Sequence, residues 1–378
     1  MKKFFIKNRI LFNRNEFSGS FGDIGTDFPL IVGMILASNL DVTSVFVMFG
    51  AMQIMTGMVY GLPMPVQPLK AMAVLVITQN IQSSVLFGAG LAIGLVMLVL
   101  SWSGGLGWLA RKIPTCVVRG IQFGLGLSLA SLALKTYVPS MGNSGYVLAL
   151  AGFVIMIVLL GNRHWPPGIF VIGLGLMYAL FFRVDFGALV SGIGFRLPQI
   201  AAPSIKDILT GFIVLSLPQL PLSISNSVIA THKTVYDLFP ERNISIKKLG
   251  MTYAIINLIL PFFKGIPVCH GCGGVAGHYT LGARTGGSVI IYGAIFVVIG
   301  LVFSGAFQQV IEFFPQPILG VVLLFEALTL MLLIRDQAQN KRDLTIALLV
   351  AAMAMTLPQG YVVGLVVGSL VYFSRIKL

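Results

Sequence analysis

The chain has few charged residues, cysteines and histidines for its length. Only 10% of its 378 residues are Asp, Glu, Lys or Arg, whereas a soluble domain has about a quarter. A water-soluble globular fold is therefore excluded. The three cysteines, Cys116, Cys269 and Cys272, lie in or beside apolar segments, which argues against a disulfide framework. Because no nucleophile–base pair or catalytic metal constellation is visible, we expect neither an enzyme nor a bound cofactor.

Apolar residues make up 57% of the chain, and long apolar runs such as 85–100 and 286–303 are typical of membrane helices. Residues 1–14 are basic and contain no continuous apolar core, so we expect no cleavable signal sequence. The sequence therefore predicts an all-α, multi-pass integral membrane protein embedded in a lipid bilayer. If the protein is bacterial, we expect it in the inner (plasma) membrane of the cell.

The apolar segments fall into two groups of seven, separated by a polar break. The predicted spans are residues 19–38, 42–61, 66–79, 85–102, 113–134, 146–161 and 168–182, followed by 208–231, 249–263, 268–282, 286–303, 314–333, 344–357 and 361–373. We accordingly divide the chain into a first repeat, 1–185, an extracellular or periplasmic linker, 186–207, and a second repeat, 208–378.

Two predicted spans, the third and the tenth, are interrupted in the same way. Residues 61–68 read GLPMPVQP, and residues 265–274 read GIPVCHGCGG. Paired Gly/Pro-broken segments in two halves of a chain point to the binding site of a secondary transporter. A helix that starts at mid-membrane presents unpaired N–H groups and its positive dipole end there, which suits a small anion. The alternative is that Gly and Pro only allow helices to cross closely.

The two halves match at further places. Ile113-Pro114 before Gly120 matches Phe314-Pro315 before Gly320, and residues 28–30 match residues 220–222. With seven spans per half, the second half must be inserted upside down. The sequence therefore predicts a 7+7 inverted repeat of about 14 spans with two broken half-helices, spans 3 and 10.

The basic residues predict the orientation. With a cytoplasmic N-terminus, the predicted outside loops contain only Lys135, Arg183, Arg196, Lys206 and Lys264 of the 25 Lys and Arg residues, and Lys70 and Arg119 lie within spans. The others fall inside, as the positive-inside rule requires, so both termini are predicted to be cytoplasmic. This bias accounts for the net charge of +13 without a nucleic acid partner.

Polar residues inside the predicted spans are costly and are candidates for function. They occur in the first span around Asp23, Thr26 and Asp27, and in the eighth span from Gln219 to Asn226. Neutral donors suit an oxyanion because they offer hydrogen bonds without a fixed countercharge. The alternative is a set of hydrogen bonds between helices, worth about 0.6 kcal/mol each.

The charged and titratable residues have alternative roles. Lys70 either supplies positive charge near the site or pairs with Asp23 or Asp27. Glu326 either carries a coupling proton or hydrogen-bonds to a neighbouring helix, and Arg119 is expected to snorkel or to pair near the cytoplasmic end of its span. The coupling candidates are Asp23, Glu326 and His270.

A metal site around the tenth span is not expected. Cys269, His270, Cys272 and His278 are zinc-ligand types, but their spacing matches no standard zinc pattern. His270 fits better as a hydrogen-bond donor to substrate or as a titrating group at the helix start.

Several motifs resemble one known family. Residues 21–26 with Pro29, and residues 63–70 (PMPVQPLK), are similar to two signatures of the molybdate transporter family of plants, algae and bacteria. Later motifs that also resemble it are 218–222 (PQLPL), 226–230 (NSVIA), 237–240 (DLFP), 267–271 (PVCHG) and 282–286 (GARTG). The similarity extends from about residue 16 to 330. The sequence departs from the family pattern at Asp27, where an apolar or aromatic residue is expected, and at Cys272, where a small residue such as Ala is usual.

The resemblance implies a function and an architecture. The family is related to the sulfate permeases, or SulP superfamily, but lacks their C-terminal cytoplasmic STAS domain, and this chain likewise ends just after its last predicted span. The resemblance implies a core domain (spans 1–4 and 8–11) that moves against a gate domain, a homodimer, and alternating-access uptake of molybdate between spans 3 and 10. By position in the shared motifs, the resemblance also implies that Gln67, Gln219, His270 and Gly271 belong to the substrate site.

The full set of substrate-binding candidates, from the polar spans, the broken helices and the resemblance together, is Asp23, Thr26, Gln67, Gln219, Ser223, Asn226, His270, Gly271, Cys272 and Gly273. A sulfate or other oxyanion permease, a nucleobase-type permease of the same architecture and an anion channel remain alternatives.

Overall fold

The computed structural model describes residues 10–160, 167–182 and 186–374, which are mostly helical. Some sequence-based expectations lie outside the described residues. These are the end of the sixth predicted span at Gly161, the repeat boundary at 185, and the basic residues Lys2, Lys3, Lys7, Arg9, Arg163, Arg183, Arg375 and Lys377.

The helices and the strand of the first half follow the predicted segments in order. They are α1 (Arg14–Gly19), α2 (Ile24–Ser38), α3 (Val42–Tyr60), β1 (Val66–Pro68), α4 (Lys70–Gln79), α5 (Ser83–Trp102), α6 (Gly105–Lys112), α7 (Thr115–Leu132), α8 (Gly142–Val158) and α9 (Pro167–Phe182). A π-helical turn, Ala133–Tyr137, and a 3-10 turn, Val138–Met141, connect α7 to α8.

The second half has the same kind of order. Its elements are α10 (Phe186–Ser191), α11 (Ile205–Gly211), α12 (Leu217–Leu222), α13 (Thr231–Leu238), α14 (Ile246–Ile259), β2 (Val268–His270), α15 (Cys272–Thr280), α16 (Gly287–Val302), α17 (Ser304–Phe313), α18 (Gln316–Leu332), α19 (Lys341–Thr356) and α20 (Gly360–Phe373). 3-10 turns end α14 (Leu260–Phe263) and α18 (Leu333–Gln337).

The eighth predicted span is one long helical path of changing pitch. π-helical turns at Phe212–Ser216 and Ser223–Ala230 lie on either side of α12. α12 contains Pro218 and Pro221, and proline removes a backbone donor and crowds the preceding turn. A wider pitch beside these prolines lets the chain stay helical, and π-turns of this kind are frequent at functional sites.

Every predicted segment contains a helix, and helices also occur outside the predicted spans. The segment 186–207, predicted to be a linker, contains α10 and the start of α11. Five short helices, α1, α6, α10, α13 and α17, lie almost wholly outside the predicted spans. Of these, α6 and α17 precede an Ile/Phe-Pro step, and α17 is bent by 96° from α16. Within the described part of the chain, six helices are long and apolar enough to cross a membrane, or seven if that bent pair counts as one span.

Close helix packing holds the two halves together. α3 of the first half packs along α16 of the second. A Cβ atom on Gly50 would collide with the backbone oxygen of Gly293, and one on Gly57 would lie 2.8 Å from the oxygen of Gly286. Small residues allow the backbones of membrane helices to approach and pack without a hydrophobic driving force. The glycines here therefore fix the distance between the helices that precede and follow the two broken segments.

Candidate functional site

The two broken segments meet at the centre of the molecule. β1 and β2 pair in antiparallel register, with Val66 opposite His270 and Gln67 opposite Cys269. All residues of both strands are buried. Inside a bilayer each backbone N–H and C=O must find a partner within the protein, so each short strand is stabilised by the other.

Two amide side chains complete the pairing of the strands. Gln53 on α3 donates to the carbonyl of Val66 (2.7 Å) and accepts from its N–H (2.9 Å). Asn257 on α14 does the same for Val268, at 2.7 and 3.0 Å. Both amides are fully buried, and each lies on the helix that precedes its strand. Each amide satisfies a backbone donor and acceptor that would otherwise be unpaired in the membrane.

A cavity of about 220 Å³ adjoins the paired strands. Its wall contains Gln67, Lys70, Gln219, Leu222, Asn226, Ser227, Cys269, Cys272 and Gly273, together with Gln122, Thr329, Leu330 and Leu333. The first group comes from the broken segments and the eighth predicted span, and the second group comes from α7, α18 and the turn after α18. Five of the ten substrate-binding candidates therefore lie together in the wall of one cavity.

Gln67 is held between a carboxylate and a glycine. Its Nε2 donates to Oδ2 of Asp23 over 2.6 Å, and both side chains are buried. A Cβ atom on Gly271 would overlap Gln67 Oε1, so glycine at 271 makes room for this amide. The Asp23 carboxylate also lies beside Gly274, in the first turn of α15. An acidic group therefore sits at the start of this half-helix, beside the cavity.

The contacts of Gln219 contradict, for α4, the expectation that both half-helices present free N–H groups. Its Oε1 accepts from the N–H of Ala71 (2.9 Å) and of Met72 (3.2 Å), in the first turn of α4. Gln219 Nε2 donates to Ser223 Oγ at 3.1 Å, and Ser223 Oγ is 2.7 Å from the Tyr253 hydroxyl. The start of α4 is therefore capped by a side chain, as helix starts require. Ser223 does not line the cavity and instead positions Gln219.

The start of α15 is open. Gly271 is its N-cap residue and has no side chain to accept a hydrogen bond. No oxygen atom of the described residues accepts a hydrogen bond from the N–H groups of Cys272, Gly273 and Gly274, and only the Cys272 thiol lies within reach of the first two. Cys272 and Gly273 line the cavity, and Cys272 Sγ is 3.3 Å from Asn226 Oδ1. The second half-helix thus directs unpaired donors and its positive dipole end at the cavity.

Lys70 pairs across the cavity with Glu326. Its Nζ is 2.7 Å from Glu326 Oε1, and the side chains are 21% and 12% exposed. The alternative partners Asp23 and Asp27 are not used, since Asp23 accepts from Gln67 and Asp27 from the Tyr292 hydroxyl at 3.3 Å. The ion pair joins α4 to α18, so it links the two sides of the cavity.

Five candidates do not line the cavity: Asp23, Ser223 and Gly271, which adjoin wall residues as described above, and also His270 and Thr26. The His270 side chain lies near Thr252 Oγ1 (2.7 Å) and packs edge-on against Tyr60, because side chains alternate along a strand and Cys269 takes the cavity side. Thr26 is half-buried on α2 and is not part of the wall. His278 contacts Ser288 Oγ at 3.1 Å, so the Cys and His side chains of the tenth segment point in different directions.

Four wall residues with polar or thiol side chains were not among the candidates for substrate binding in the sequence analysis. They are Gln122, Ser227, Cys269 and Thr329. Gln122 is buried within the apolar helix α7, and it therefore carries the same signal, a polar residue in a span, that identified Gln219. Gln53 and Asn257 carry that signal as well.

Paired strands, each followed by a half-helix and set beside a small polar cavity in a helical membrane fold, define a membrane transport protein rather than an enzyme. The family described as molybdate transporter of MFS superfamily matches residues 15–129 and 211–330. The chain is 33% identical over 394 residues to Molybdate transporter 2 of Arabidopsis thaliana, covering 90% of this chain and 83% of that protein. It is also 33% identical over 412 residues to Molybdate transporter 1 of that plant, with coverage of 97% and 90%. The chain belongs to the molybdate transporter family.

Solved structures share the fold. SLC26A9 superposes with a TM-score of 0.74 at 14% identity, over 98% of this chain and 66% of that one. The transmembrane domain of the cyanobacterial bicarbonate transporter BicA superposes with a TM-score of 0.63 at 16% identity, over 96% and 97% of the two chains. This chain therefore has the fold of the SLC26 and SulP transporters.

Proposed function

We propose that this protein takes up a tetrahedral oxyanion, molybdate in the first place, and that the 220 Å³ cavity binds it. One observation carries the proposal: the unpaired N–H groups that start α15 face a buried cavity that also contains Lys70 and several neutral amides. A helix start with free donors favours an oxyanion, and Lys70 adds positive charge. The names of the 33% identical relatives support molybdate as the substrate.

We propose cation coupling, with a proton at Asp23 as the coupling ion. Moving a dianion into an inside-negative compartment costs about 4.6 kcal/mol per 100 mV, so accumulation needs a cotransported cation. Asp23 is suited to this role because its carboxylate contacts both Gln67 and the start of α15. When ionised, it places a negative charge where the anion should bind. Protonation removes that charge.

The proton also acts on Gln67. An ionised Asp23 can only accept a hydrogen bond, so Gln67 directs its NH₂ group to Asp23 and its carbonyl oxygen to Gly271. A protonated Asp23 can donate to that carbonyl oxygen instead, which would turn the amide and present the NH₂ group to the cavity. Protonation and anion binding are then mutually favourable.

We propose the 14-span, 7+7 inverted repeat as the architecture, with the chain divided at the segment 186–207 and both termini cytoplasmic. The two amide–strand clamps, Gln53 with Val66 and Asn257 with Val268, support a repeat because they occupy equivalent places in the two halves. The cavity lies between the predicted core spans and α7 and α18 of the predicted gate. Alternating access would follow from movement of the core against the gate, in a homodimer.

The test is calorimetric titration of molybdate into the detergent-purified protein, with sulfate as competitor. We expect binding that persists in excess sulfate and weakens about tenfold or more in Gln67→Ala, since a hydrogen bond to a charged group contributes about 1.5–3 kcal/mol. Gln82→Ala is the matched control, because Gln82 is exposed and its side chain caps nothing. Binding of sulfate or a nucleobase with no binding of molybdate would contradict the proposal.

Coupling is tested separately in proteoliposomes. We expect molybdate uptake to be driven by an inward proton gradient, with Na⁺ gradients tested in parallel. Uptake that is indifferent to both gradients would rule out cation coupling while leaving the oxyanion site in place.

A further inference from the structure

A second cavity adjoins the candidate site. It has a volume of about 430 Å³ and is lined partly by Arg119, Thr115 and Ile113 from the start of α7 and the residues just before it. Asn226 and Leu333 belong to the walls of both cavities. Its lining residues Ile113, Ala230 and Leu333 lie at the ends of spans that the basic residues predict to be cytoplasmic. An anion that leaves the smaller cavity through the larger one would pass the wall to which Arg119 belongs.

Arg119 holds Gln122 and Asp336 at this junction. Its Nε and Nη2 donate to the same oxygen of Asp336, Oδ2, at 2.8 and 2.5 Å. Its Nη1 donates to Gln122 Oε1 at 3.0 Å. The side chains of Arg119 and Asp336 are 24% and 42% exposed, so both are accessible from the larger cavity or the surface.

These contacts determine the orientation of Gln122. A guanidinium has five N–H donors and no acceptor, so the amide atom that faces Arg119 must be oxygen. The NH₂ group of Gln122 is therefore directed the other way. It has no hydrogen-bond partner among the described residues, and Gln122 lies in the wall of the smaller cavity while only 2% exposed.

Arg119 also has donors to spare. Three of its N–H groups make the bonds given above, which leaves two of the five without a partner in the described part of the chain. A planar guanidinium can contact two oxygens of an oxyanion at once. Asp336 holds it through only one carboxylate oxygen, and the other, Oδ1, accepts from Gln337 Nε2 at 2.7 Å.

We propose that Arg119 and Gln122 form a second oxyanion subsite, on the α7 side of the junction between the two cavities. Gln122 donates to the anion in the smaller cavity, and Arg119 receives it in the larger cavity in exchange for its contact with Asp336. The inference rests on the proposed function, because it assigns a second set of ligands to the same oxyanion.

The experiment combines molybdate titration of purified protein with molybdate counterflow in proteoliposomes. We expect Gln122→Ala to weaken binding about tenfold, and Arg119→Gln to slow counterflow about tenfold, as loss of a hydrogen bond to a charged group predicts. Asp336→Asn should keep or tighten binding, because it releases Arg119 for the anion. Arg335→Gln is the matched control, because it removes a positive charge from the turn that contains Asp336, and Arg335 is exposed and lines neither cavity.

The opposite effects of Arg119→Gln and Asp336→Asn separate the subsite from a purely structural ion pair. Equal losses in both variants, with no further loss in the double variant and a lowered thermal midpoint in all three, would overturn the proposal. Wild-type affinity in Gln122→Ala together with wild-type counterflow in Arg119→Gln would also overturn it. Binding to the wild-type protein is measured before any variant. If the wild type binds no oxyanion, the proposed function itself is refuted.

Discussion

The Gln67 amide nitrogen lies 2.6 Å from the carboxylate of Asp23, and this contact links the first predicted span to the first broken segment. The carboxylate also lies beside Gly274, at the open start of α15. Both neighbours of the carboxylate belong to the candidate anion site. A change of charge at Asp23 therefore changes the electrostatic potential directly where the anion would bind.

Asp23→Asn should separate binding from coupling. Asparagine is neutral and can donate to Gln67 Oε1, so it imitates protonated Asp23. We expect molybdate binding that no longer depends on pH, and counterflow that persists while proton-driven accumulation is lost. The measurement is uptake at fixed external pH with and without a proton gradient.

The control for this variant is Asp41→Asn, which changes a carboxylate at the start of α3 and away from the cavity. It should leave both binding and proton-driven uptake as in the wild type. Proton-driven accumulation in Asp23→Asn that matches the wild type would show that the coupling proton is carried elsewhere.

Gly271→Ala should remove binding without unfolding the protein. The new methyl group would overlap Gln67 Oε1, and the amide can move only by breaking its hydrogen bond to Asp23. We expect at least a tenfold loss of molybdate affinity, measured by titration, because the contact is lost in a buried site. Gly173→Ala is the control, since a Cβ at that position meets nothing within 4 Å. Unchanged affinity in Gly271→Ala would show that the position of Gln67 does not matter.

Gln219 is predicted to have a structural and a binding role that two substitutions can separate. Gln219→Ala leaves the N–H groups of Ala71 and Met72 without an acceptor, at a cost of about 1–3 kcal/mol for each buried donor. It should lower the thermal midpoint in detergent. Gln219→Glu keeps an acceptor for both donors but adds a negative charge beside the cavity, so it should retain most of the stability and lose anion binding. Equal stability of the alanine variant and the wild type would contradict the capping role.

The Lys70–Glu326 pair should behave as a coupled unit. Removing one member leaves a charge unpaired in a largely buried setting, whereas removing both does not. We expect Glu326→Gln to lower the thermal midpoint by several degrees and to tighten molybdate binding, because Lys70 then faces the cavity without a countercharge. The double variant Lys70→Met/Glu326→Leu should regain stability but bind molybdate weakly. Additive losses in the double variant would show that the two residues act independently.

Glu326→Gln also tests the alternative coupling residue. If Asp23 carries the proton, uptake by Glu326→Gln should still respond to a proton gradient, although at a lower rate. A complete loss of the response, with binding retained, would assign coupling to Glu326 instead.

Local patterns predicted the elements of the fold. Each apolar segment became a helix, and the GLPMPVQP and GIPVCHGCGG segments became short strands followed by half-helices, because proline and glycine disfavour a continuous helix at any depth. The helices α1, α6, α10, α13 and α17 were missed because they are short and carry no long apolar run. Among the site residues, Gln67, Gln219 and Asn226 were found because a polar side chain in an apolar span is conspicuous wherever it points.

Only the tertiary structure decided which way each polar side chain points and which residue it contacts. The sequence by itself determined that this is a helical membrane protein with two broken segments, since hydrophobicity and backbone restriction are properties of local sequence. It did not determine that His270 turns to Thr252, that Gln219 caps α4, or that Lys70 pairs with Glu326. Each of these contacts joins residues from different helices or from the two sides of a strand. Their formation depends on how the helices pack, and that packing reflects contacts along the whole chain.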